Sequence, residues 1–242
     1  MPVYVVTGCR RGIGLEYIRH LSQTPGNTVF ALVRSQTGDL TALQSVRESA
    51  AATVHILDCD ISSAASIAGL PSRIAQAASP DIKIDVLINN AGILHSRAET
   101  ALTMSPDDLL SHVQSNVIGP ALMLQTLLPH LSPTARVANI TSGIGSLALL
   151  AAGRIPVEAT AYSVSKTALN MLTVHQQAQL KAQGSEVVVV TIDPGHVKTE
   201  MGGPHAVVEP EDSVKGVLGV LGRVGAEEGG RFWAYDGGEV PW

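Results

Sequence analysis

Tyr162 and Lys166 are the two residues whose types and spacing most clearly suggest chemistry. Residues four apart share one face of a helix, so the phenol and the ammonium can lie close together. A free phenol has a pKa of about 10 and exchanges protons poorly at neutral pH. An ammonium about 4 Å away favours the phenolate by roughly 4 kcal/mol at an effective dielectric constant of ~20, which lowers the phenol pKa by up to about 3 before burial opposes it. The pair is a candidate general acid, although a Tyr and a Lys on one helix are more often structural.

A glycine-rich loop, residues 7–14, joins the first predicted strand to the first predicted helix. Gly8, Gly12 and Gly14 let the backbone turn tightly and approach a pyrophosphate, while the helix N-terminus offers free amides and the positive end of its dipole. The loop predicts a dinucleotide-binding site. The alternative is an ordinary glycine-rich turn between a strand and a helix.

Arginines stand where the adenosine ribose of such a dinucleotide would lie. In sites that prefer NAD, an acidic residue about 20 residues beyond the loop holds the ribose 2′-hydroxyl. Here the second strand ends at Arg34, and Arg11 precedes the second loop glycine. A guanidinium binds a 2′-phosphate bidentately, whereas a carboxylate would repel it. The pattern favours NADP(H), with Arg10 as a third candidate cation; the alternative is that these arginines are solvated surface residues.

Strands and helices alternate along the chain that must position these groups. Continuous apolar, β-branched runs are typical of strands that are buried on both faces. Such runs predict strands at Val3–Thr7, Thr28–Val33, Thr53–Asp58, Asp85–Asn89, Arg136–Thr141, Glu186–Ile192 and Arg231–Tyr235, with helices at about 12–23, 38–51, 62–79, 105–131, 160–183 and 210–222. This alternation predicts an α/β Rossmann fold, a doubly wound parallel sheet with strand order 3-2-1-4-5-6 and a seventh strand. We expect one domain over residues 1–242.

The helix predicted over residues 105–131 has a clear start and an internal break. Ser105 is a good N-cap and Pro106 fits the first helical position. Pro120 has no backbone N–H, so it leaves a carbonyl one turn earlier, at or beside Asn116, without its usual partner. We expect a kink there.

Six motifs in this order resemble those of the short-chain dehydrogenase/reductase family. They span residues 7–199 and comprise the loop Thr7-Gly8-Cys9-Arg10-Arg11-Gly12-Ile13-Gly14, then Asn89-Asn90-Ala91-Gly92, Asn116, Ser142, the Tyr162/Lys166 pair, and Pro194-Gly195 followed by Val197 and Thr199. The sequence also resembles the C-factor and sniffer-type carbonyl reductase branch of that family, at residues 11–16, 201–204 and 235–242.

The resemblance implies a role for each motif. Tyr162 would act as the general acid, Ser142 would hydrogen-bond the substrate oxygen, and Asn116 would support a water that relays protons to Lys166. An alternative for Asn116 is a side chain that bonds its own helix. Lys166 would also hold the nicotinamide ribose. The other residues implied to bind the cofactor are Gly8, Arg11, Gly12, Ile13, Gly14, Arg34, Asp60, Ile61, Asn90, Ala91, Gly92, Pro194, Gly195, Val197 and Thr199.

Some assignments stay open on the sequence. Asp58 competes with Asp60 for the adenine contact, and Asp60 is preferred because Ile61 follows it. Residues 147–156 and 201–208 should flank a small-molecule carbonyl or alcohol substrate. His196 either lines that pocket or is a bystander. The favoured hypothesis for the function is an NADPH-dependent carbonyl reductase. The alternatives are an NADP-dependent secondary-alcohol dehydrogenase and a catalytically silent nucleotide-binding regulatory protein.

Composition limits the other classes of function. The chain has 242 residues, of which 45% are hydrophobic and 15% charged, as expected of a packed globular protein. Its net charge of −5 and the lack of a basic stretch argue against nucleic acid and membrane partners. Cys9 and Cys59 have no zinc-site spacing and suit a reduced cytosolic protein better than a disulfide. No apolar run is long enough to span a membrane, and the strand predicted at Val3–Thr7 leaves no room for a signal peptide. We expect the protein to be cytoplasmic. We also expect it to form a homo-oligomer, with a dimer favoured.

Overall fold

A seven-stranded parallel sheet organises the chain. The computed structural model describes residues Met1 to Trp242. The strands are β1 (Val3–Thr7), β2 (Thr28–Val33), β3 (Thr53–Asp58), β4 (Ile84–Asn89), β5 (Leu131–Ile140), β6 (Val188–Asp193) and β7 (Phe232–Ala234). Their spatial order is β3-β2-β1-β4-β5-β6-β7, and every neighbouring pair is parallel. The predicted fold class and strand order are confirmed.

Nine α-helices accompany the strands. They are α1 (Gly12–Leu21), α2 (Thr41–Glu48), α3 (Ala64–Ala68), α4 (Leu70–Ala77), α5 (Pro106–Val113), α6 (Gly119–Leu127), α7 (Leu147–Ala151), α8 (Thr160–Ala182) and α9 (Pro210–Arg223). Short 3-10 turns occupy Leu128–His130, Gly143–Gly145 and Ala226–Glu228. None of these helices combines the length and apolar character required to cross a membrane.

Apolar side chains cover both faces of the sheet, which explains why the strands read as continuous apolar runs. One core cluster joins the sheet to α1, α2 and α9, and the other joins it to α3, α4, α6 and α8. Cys9 lies in the first cluster and Cys59 in the second, and both are free thiols. The sheet therefore separates the two cysteines, as the prediction of reduced cysteines requires.

The helix predicted over residues 105–131 is divided. Ser105 caps α5 by accepting a hydrogen bond from the N–H of Asp108, as expected. Residues 114–118 then form a π turn, in which the N–H of Gly119 donates to the carbonyl of Gln114. Pro120 lies at the start of α6. Because proline cannot donate to the preceding turn, the helix widens there instead of simply kinking.

Two further differences from the predicted elements concern a split helix and a strand that starts early. The helix predicted over residues 62–79 is split at Gly69, where α3 ends and α4 begins. Strand β5 starts at Leu131, five residues before the predicted start at Arg136, because Leu131 pairs with Ile84 before an irregularity in the register. Neither difference changes the carboxyl ends of the strands, where the site lies.

Candidate active site

The carboxyl ends of β4, β5 and β6 converge on the first turns of α8. Tyr162 and Lys166 both lie in these turns and are 8% and 3% exposed, respectively. Ser142 follows β5 and begins the 3-10 turn beside them. The structure therefore brings together three of the four predicted catalytic side chains at the edge of the sheet where open α/β folds bind ligands.

The phenol of Tyr162 lies in a strongly polarised setting. Burial raises its pKa above the ordinary value, and the nearby Asp193 carboxylate raises it further. The Ser142 hydroxyl, which faces the phenol, and the Arg97 guanidinium act in the opposite direction. The sequence predicted that Lys166 would lower this pKa into the working range. That expectation is wrong: burial outweighs the groups that lower the phenol pKa, and Lys166 is not one of them.

Lys166 is held by the end of β5. Its Nζ donates a hydrogen bond of 2.8 Å to the carbonyl oxygen of Ile140 and lies 5.4 Å from the centre of the Tyr162 ring. Burial lowers the pKa of Lys166 to about 8, although the Asp193 carboxylate opposes this change. A Cβ on Gly92 would come within 3.6 Å of Nζ, so the Asn-Asn-Ala-Gly motif packs directly against the lysine.

Asn116 lies in the π turn and is completely buried. Its Oδ1 accepts from the N–H of Ile93 at 2.9 Å, and its Nδ2 donates to the Ile93 carbonyl and to Ser165 Oγ, both at 3.0 Å. Ser165 Oγ in turn donates to the carbonyl of Tyr162 at 2.7 Å. Both N–H groups of the amide are thus used within the protein, between the loop after β4 and the catalytic helix. The alternative in which Asn116 bonds its own helix is wrong.

The loop of residues 7–14 has the shape of a phosphate cradle. Gly8 and Gly12 have φ angles of +75° and +58°, and a Cβ on Gly14 would come within 2.1 Å of the Gly8 carbonyl oxygen. Only glycine fits this close approach. Helix α1 has no side-chain cap and no acidic residue in its first turn, so its free N–H groups remain open to an anion. These residues fit a dinucleotide pyrophosphate.

The loop after β4 is hydrogen-bonded to Thr7, the first residue of the glycine-rich loop. Thr7 Oγ1 accepts from the N–H groups of Asn90 and Ala91, each at 2.9 Å, and Asn90 Nδ2 donates to the Thr7 carbonyl at 2.9 Å. Asn90 was predicted to bind the cofactor. In the structure its side-chain amide bonds the main chain of β1 and so supports the loop, and cofactor binding by Asn90 stays a prediction.

Two arginine side chains, those of Arg34 and Arg10, lie near the carboxyl ends of β2 and β3. Arg34 is exposed and close enough to Asp60 to help lower that carboxyl's pKa, although hydrogen bonds from Ser62 contribute more. Arg10 Nε donates to the Asp39 carbonyl at 3.2 Å, which places Arg10 against the loop after β2. The sequence ranked Arg10 third and overlooked Asp39, the one carboxylate beside it. Asp58 accepts from the N–H of Gln36 at 2.6 Å, so its carboxylate holds this loop, and Asp60 as the adenine contact stays a prediction.

Arg11 forms an ion pair across the opening of the same groove. Its guanidinium is 2.5 Å from the Glu200 carboxylate, and both side chains are largely exposed. The loop that carries Glu200 also brings Thr199 within 3.5 Å of the Cβ position of Gly12. Sequence reasoning predicted Arg11 as a phosphate ligand. It did not predict that the Arg11 guanidinium would form an ion pair with Glu200.

The Pro194-Gly195 segment is tightly packed at the end of β6. Ser213 Oγ donates to the Pro194 carbonyl at 2.7 Å, and Gly195 has a φ of +81°. A Cβ on Gly195 would come within 2.8 Å of the Tyr235 ring. Val197 is buried and bridges to Val208. The backbone of this segment is thereby fixed between Tyr235, Val208 and helix α9. Ile13 and Ile61 take packing positions, against the core and against Gly119, respectively.

Apolar side chains are exposed on the two segments that the sequence predicted to flank a substrate. Helix α7 presents the exposed side chains of Leu147 and Leu150, and Met201 is exposed across from the Arg97 loop. Arg97 donates a hydrogen bond to the Met201 carbonyl and so joins the loops after β4 and β6. His196 is exposed, and its Nε2 lies 2.8 Å from the Gly202 carbonyl. This contact ties the His196 imidazole to its own loop.

Four residues of the site escaped the sequence reasoning. Glu99 accepts from the N–H of Ala161, Arg97 joins two loops, Ser165 connects Asn116 to Tyr162, and the Asp193 carboxylate raises the pKa of Tyr162. Ser165 lies inside the Tyr-to-Lys motif, and Asp193 directly precedes Pro194 at a strand end. These two positions could have marked Ser165 and Asp193 as residues of the site. Nothing in the sequence near Glu99 or Arg97 marks either of them.

Known proteins share this sequence and architecture. The family model described as short chain dehydrogenase matches residues 2–207. The C-signal protein of Myxococcus xanthus is 41% identical over 162 residues, which cover 66% of this chain and 93% of that protein. An NADPH-bound carbonyl reductase from chicken fatty liver superposes with a TM-score of 0.87 at 31% identity, and the carbonyl reductase Sniffer of D. melanogaster with 0.89 at 27%; each match covers 100% of both chains. The chain therefore belongs to the short-chain dehydrogenase family and is an oxidoreductase that uses a nicotinamide cofactor.

Proposed function

We propose that this protein is an NADPH-dependent reductase of ketones or aldehydes. The observation that carries the proposal is the meeting of Tyr162, Lys166 and Ser142 beside a glycine cradle that fits a pyrophosphate. Two structural neighbours at 31% and 27% identity are described as carbonyl reductases, and their full-length similarity supports the same reaction class.

The cofactor would be held along the carboxyl edge of the sheet. Gly8, Gly12 and Gly14 would hold the pyrophosphate, and Arg34 with Arg10 the 2′-phosphate. Asp60 would lie at the adenine, Ala91 and Gly92 at the adenosine ribose, and Pro194, Gly195, Val197 and Thr199 beside the nicotinamide. When bound, NADPH supplies the hydride. The description of the chicken enzyme as NADPH-bound supports NADP(H) over NAD(H).

The protein's own side chains would handle the proton. Ser142 hydrogen-bonds the carbonyl oxygen and stabilises the negative charge that grows on it. Tyr162 donates its Oη proton to that oxygen, so the raised pKa of the phenol keeps the acid in its protonated form. Lys166 holds the nicotinamide ribose and supplies positive charge near the phenolate that remains. A water that relays protons past Asn116 would bind a main-chain carbonyl of the π turn, because both N–H groups of the Asn116 side chain are already bonded.

Two alternatives use the same residues. Oxidation of secondary alcohols would run the same steps backwards, with Tyr162 accepting the proton. A silent nucleotide-binding regulatory protein is favoured by one observation, the 41% identity with a protein named C-signal. Because Tyr162 and Lys166 are both present and correctly placed, we favour an active enzyme.

Turnover tests the proposal. We expect the purified protein to oxidise NADPH with a panel of aryl ketones, aldehydes and diketones, and Tyr162→Phe to lose about 10²–10⁴-fold in kcat while NADPH binding changes little. Phenylalanine keeps the ring and its packing and deletes only the proton donor. A Tyr162→Phe variant with wild-type reduction rates would overturn the mechanism, and a wild-type protein that binds NADPH without turnover would favour the regulatory alternative.

A further inference from the structure

The chain reverses its direction after β7 and returns along that strand. The N–H of Ala234 donates to the carbonyl of Gly238, and the N–H of Val240 donates to the carbonyl of Phe232, both at 2.8 Å. An antiparallel bridge lies between these two hydrogen bonds. We call residues 239–242 the return segment. It lies against the edge strand of the sheet and pairs with main-chain groups that an open edge would leave free.

The return segment contacts the start of α7. The Ser146 hydroxyl donates a hydrogen bond of 2.6 Å to the Pro241 carbonyl, and the N–H of Ala148 donates to the main-chain oxygen of Trp242 at 2.8 Å. The Trp242 ring packs on the ring of Phe232, with the ring centres 5.5 Å apart, and Phe232 is completely buried in β7. A buried ring thus anchors the return segment, and two hydrogen bonds join it to α7.

Ser146 is connected to Ser142 through the 3-10 turn between them. The N–H of Ser146 donates to the Gly143 carbonyl at 3.0 Å, and the N–H of Gly145 donates to the Ser142 carbonyl at 2.9 Å. The Ser146 hydroxyl also caps α7, because it accepts from the N–H of Leu149 at 3.1 Å. Since these bonds close a short turn, a displacement of Ser146 is transmitted to the backbone of Ser142.

Helix α8 holds the same turn. Ser163 Oγ donates to the Ile144 carbonyl at 2.6 Å, and Thr167 Oγ1 donates to the Gly145 carbonyl at 2.9 Å. A Cβ on Gly145 would come within 2.9 Å of the Cβ of Lys166, so the turn packs directly on the catalytic helix. Two elements therefore fix the turn: the helix that carries the phenol, and the return segment.

We propose that Pro241 and Trp242 are positioning residues for Ser142: their hydrogen bonds to Ser146 and Ala148 fix the turn that aims the Ser142 hydroxyl at the substrate oxygen. The inference rests on the proposed function, in which that hydroxyl stabilises the charge on the oxygen. Such a donor is effective only if it is in place before the charge develops, and a displacement of about 1 Å can cost up to about 100-fold in rate. The return segment makes no hydrogen bond to the glycine-rich loop, so we expect it to affect turnover and not NADPH affinity.

The test measures kcat at saturating NADPH, with the aldehyde or ketone that the wild-type enzyme reduces fastest, and the Kd for NADPH by fluorescence titration. Trp242→Ala removes the ring that anchors the return segment. We expect kcat to fall about 10-fold and the Kd for NADPH to change by less than about twofold. Trp242→Phe keeps a ring against Phe232 and should restore most of kcat. Leu128→Ala is the matched control, because it removes a similarly exposed apolar side chain, 36% against 44%, from the turn before β5. Its kcat should equal that of the wild type.

A double variant separates positioning of Ser142 from a general loss of stability. In a Ser142→Ala background, Trp242→Ala should change kcat by less than about twofold, because the group that the return segment positions is absent. Ser146→Ala removes the donor to Pro241 and should give the same pattern. Losses that multiply in the double variant would overturn the inference, as would wild-type kcat in Trp242→Ala, no restoration by Trp242→Phe, or failure of both Trp242→Ala and Ser146→Ala to fold. Absence of reduction by the wild type would instead remove the proposed function itself.

Discussion

Glu99 caps the catalytic helix from a distant loop, because its Oε1 accepts a hydrogen bond of 3.1 Å from the backbone N–H of Ala161. The residue before α8, Ala159, has a left-handed backbone with φ +55° and supplies no side-chain cap. The first turn of α8 therefore depends on a carboxylate that lies 62 residues earlier in the chain. Tyr162 is the next residue, so this contact fixes the start of the segment that carries the phenol.

Removing this cap should weaken both folding and turnover. We expect Glu99→Ala to lower the free energy of unfolding by about 1 kcal/mol, the usual contribution of a cap, and to lower kcat. Glu99→Gln keeps an acceptor oxygen and should restore most of the loss, apart from the interaction of the charge with the helix dipole. Chemical denaturation and steady-state kinetics measure the two effects. Equal kcat values for Glu99→Ala and the wild type would show that the cap does not position Tyr162.

Reversing the charge at Arg34 should change the cofactor preference. Arg34→Asp replaces a 2′-phosphate ligand with a carboxylate that repels the phosphate and can bind a ribose 2′-hydroxyl. We expect kcat/KM for NADPH to fall by about 10–100-fold, whereas kcat/KM for NADH falls less or rises. Arg47→Asp, an exposed change on α2, is the control for net charge. A wild-type enzyme that uses both cofactors equally well would contradict the proposed preference.

Lys166 should leave a signature in the pH dependence of stability. Burial lowers its pKa to about 8, from 10.5 in an unstructured chain, so between these values the unfolded state binds more protons than the folded state. Stability from this group is therefore lost as pH falls from 10.5 to 8 and is gained as pH rises, by about 3 kcal/mol at most. We expect the difference in unfolding free energy between wild type and Lys166→Met to increase over this range, measured without nucleotide. A constant difference from pH 8 to 10.5 would show that the lysine keeps its ordinary pKa.

Asn116 should affect chemistry more than cofactor binding. Asn116→Ala leaves the N–H and carbonyl of Ile93 without their partner and releases the π turn from the loop after β4. We expect unfolding free energy to fall by about 2–4 kcal/mol and kcat to fall by a larger factor than the affinity for NADPH. Fluorescence titration with NADPH and single-turnover kinetics separate the two quantities. Proportional losses of affinity and rate would make Asn116 a purely structural residue.

Exposed apolar side chains on α8 and on the segment from α5 to α6 predict a dimer. Met171 and Leu110 are 61% and 65% exposed, and Ile118, Val164 and Val174 are also exposed. Such a patch is typical of an interface. We expect light scattering at micromolar concentration to give twice the 25.2 kDa chain mass, and Met171→Glu to give a monomer. A wild-type particle of 25.2 kDa would contradict this prediction. The cytosolic location also stays a prediction.

The sequence alone was sufficient to predict the features that depend on residues close together in the chain. The apolar runs, the glycines at 8, 12 and 14, and the four-residue spacing of Tyr162 and Lys166 each depend on local geometry, that is, on strand burial, backbone freedom and the turn of a helix. The parallel strand order followed from the same alternation, because crossovers in such sheets have one hand. The position of the break near Pro120 was equally local, although its form as a π turn was not.

Only the tertiary structure decided how distant groups act on the reacting atoms. Asp193 comes beside Tyr162 because parallel strands end at one edge of the sheet, and which side chains meet there depends on register and packing. Glu99 reaches the start of α8, and Glu200 reaches Arg11, across 62 and 189 residues of sequence, respectively. The pKa of Tyr162 is raised because burial of the phenol and the Asp193 carboxylate outweigh Ser142 and Arg97, and burial is a property of the whole fold. Residue types identify a phenol and an ammonium, whereas their charge states depend on what the folded chain places around them.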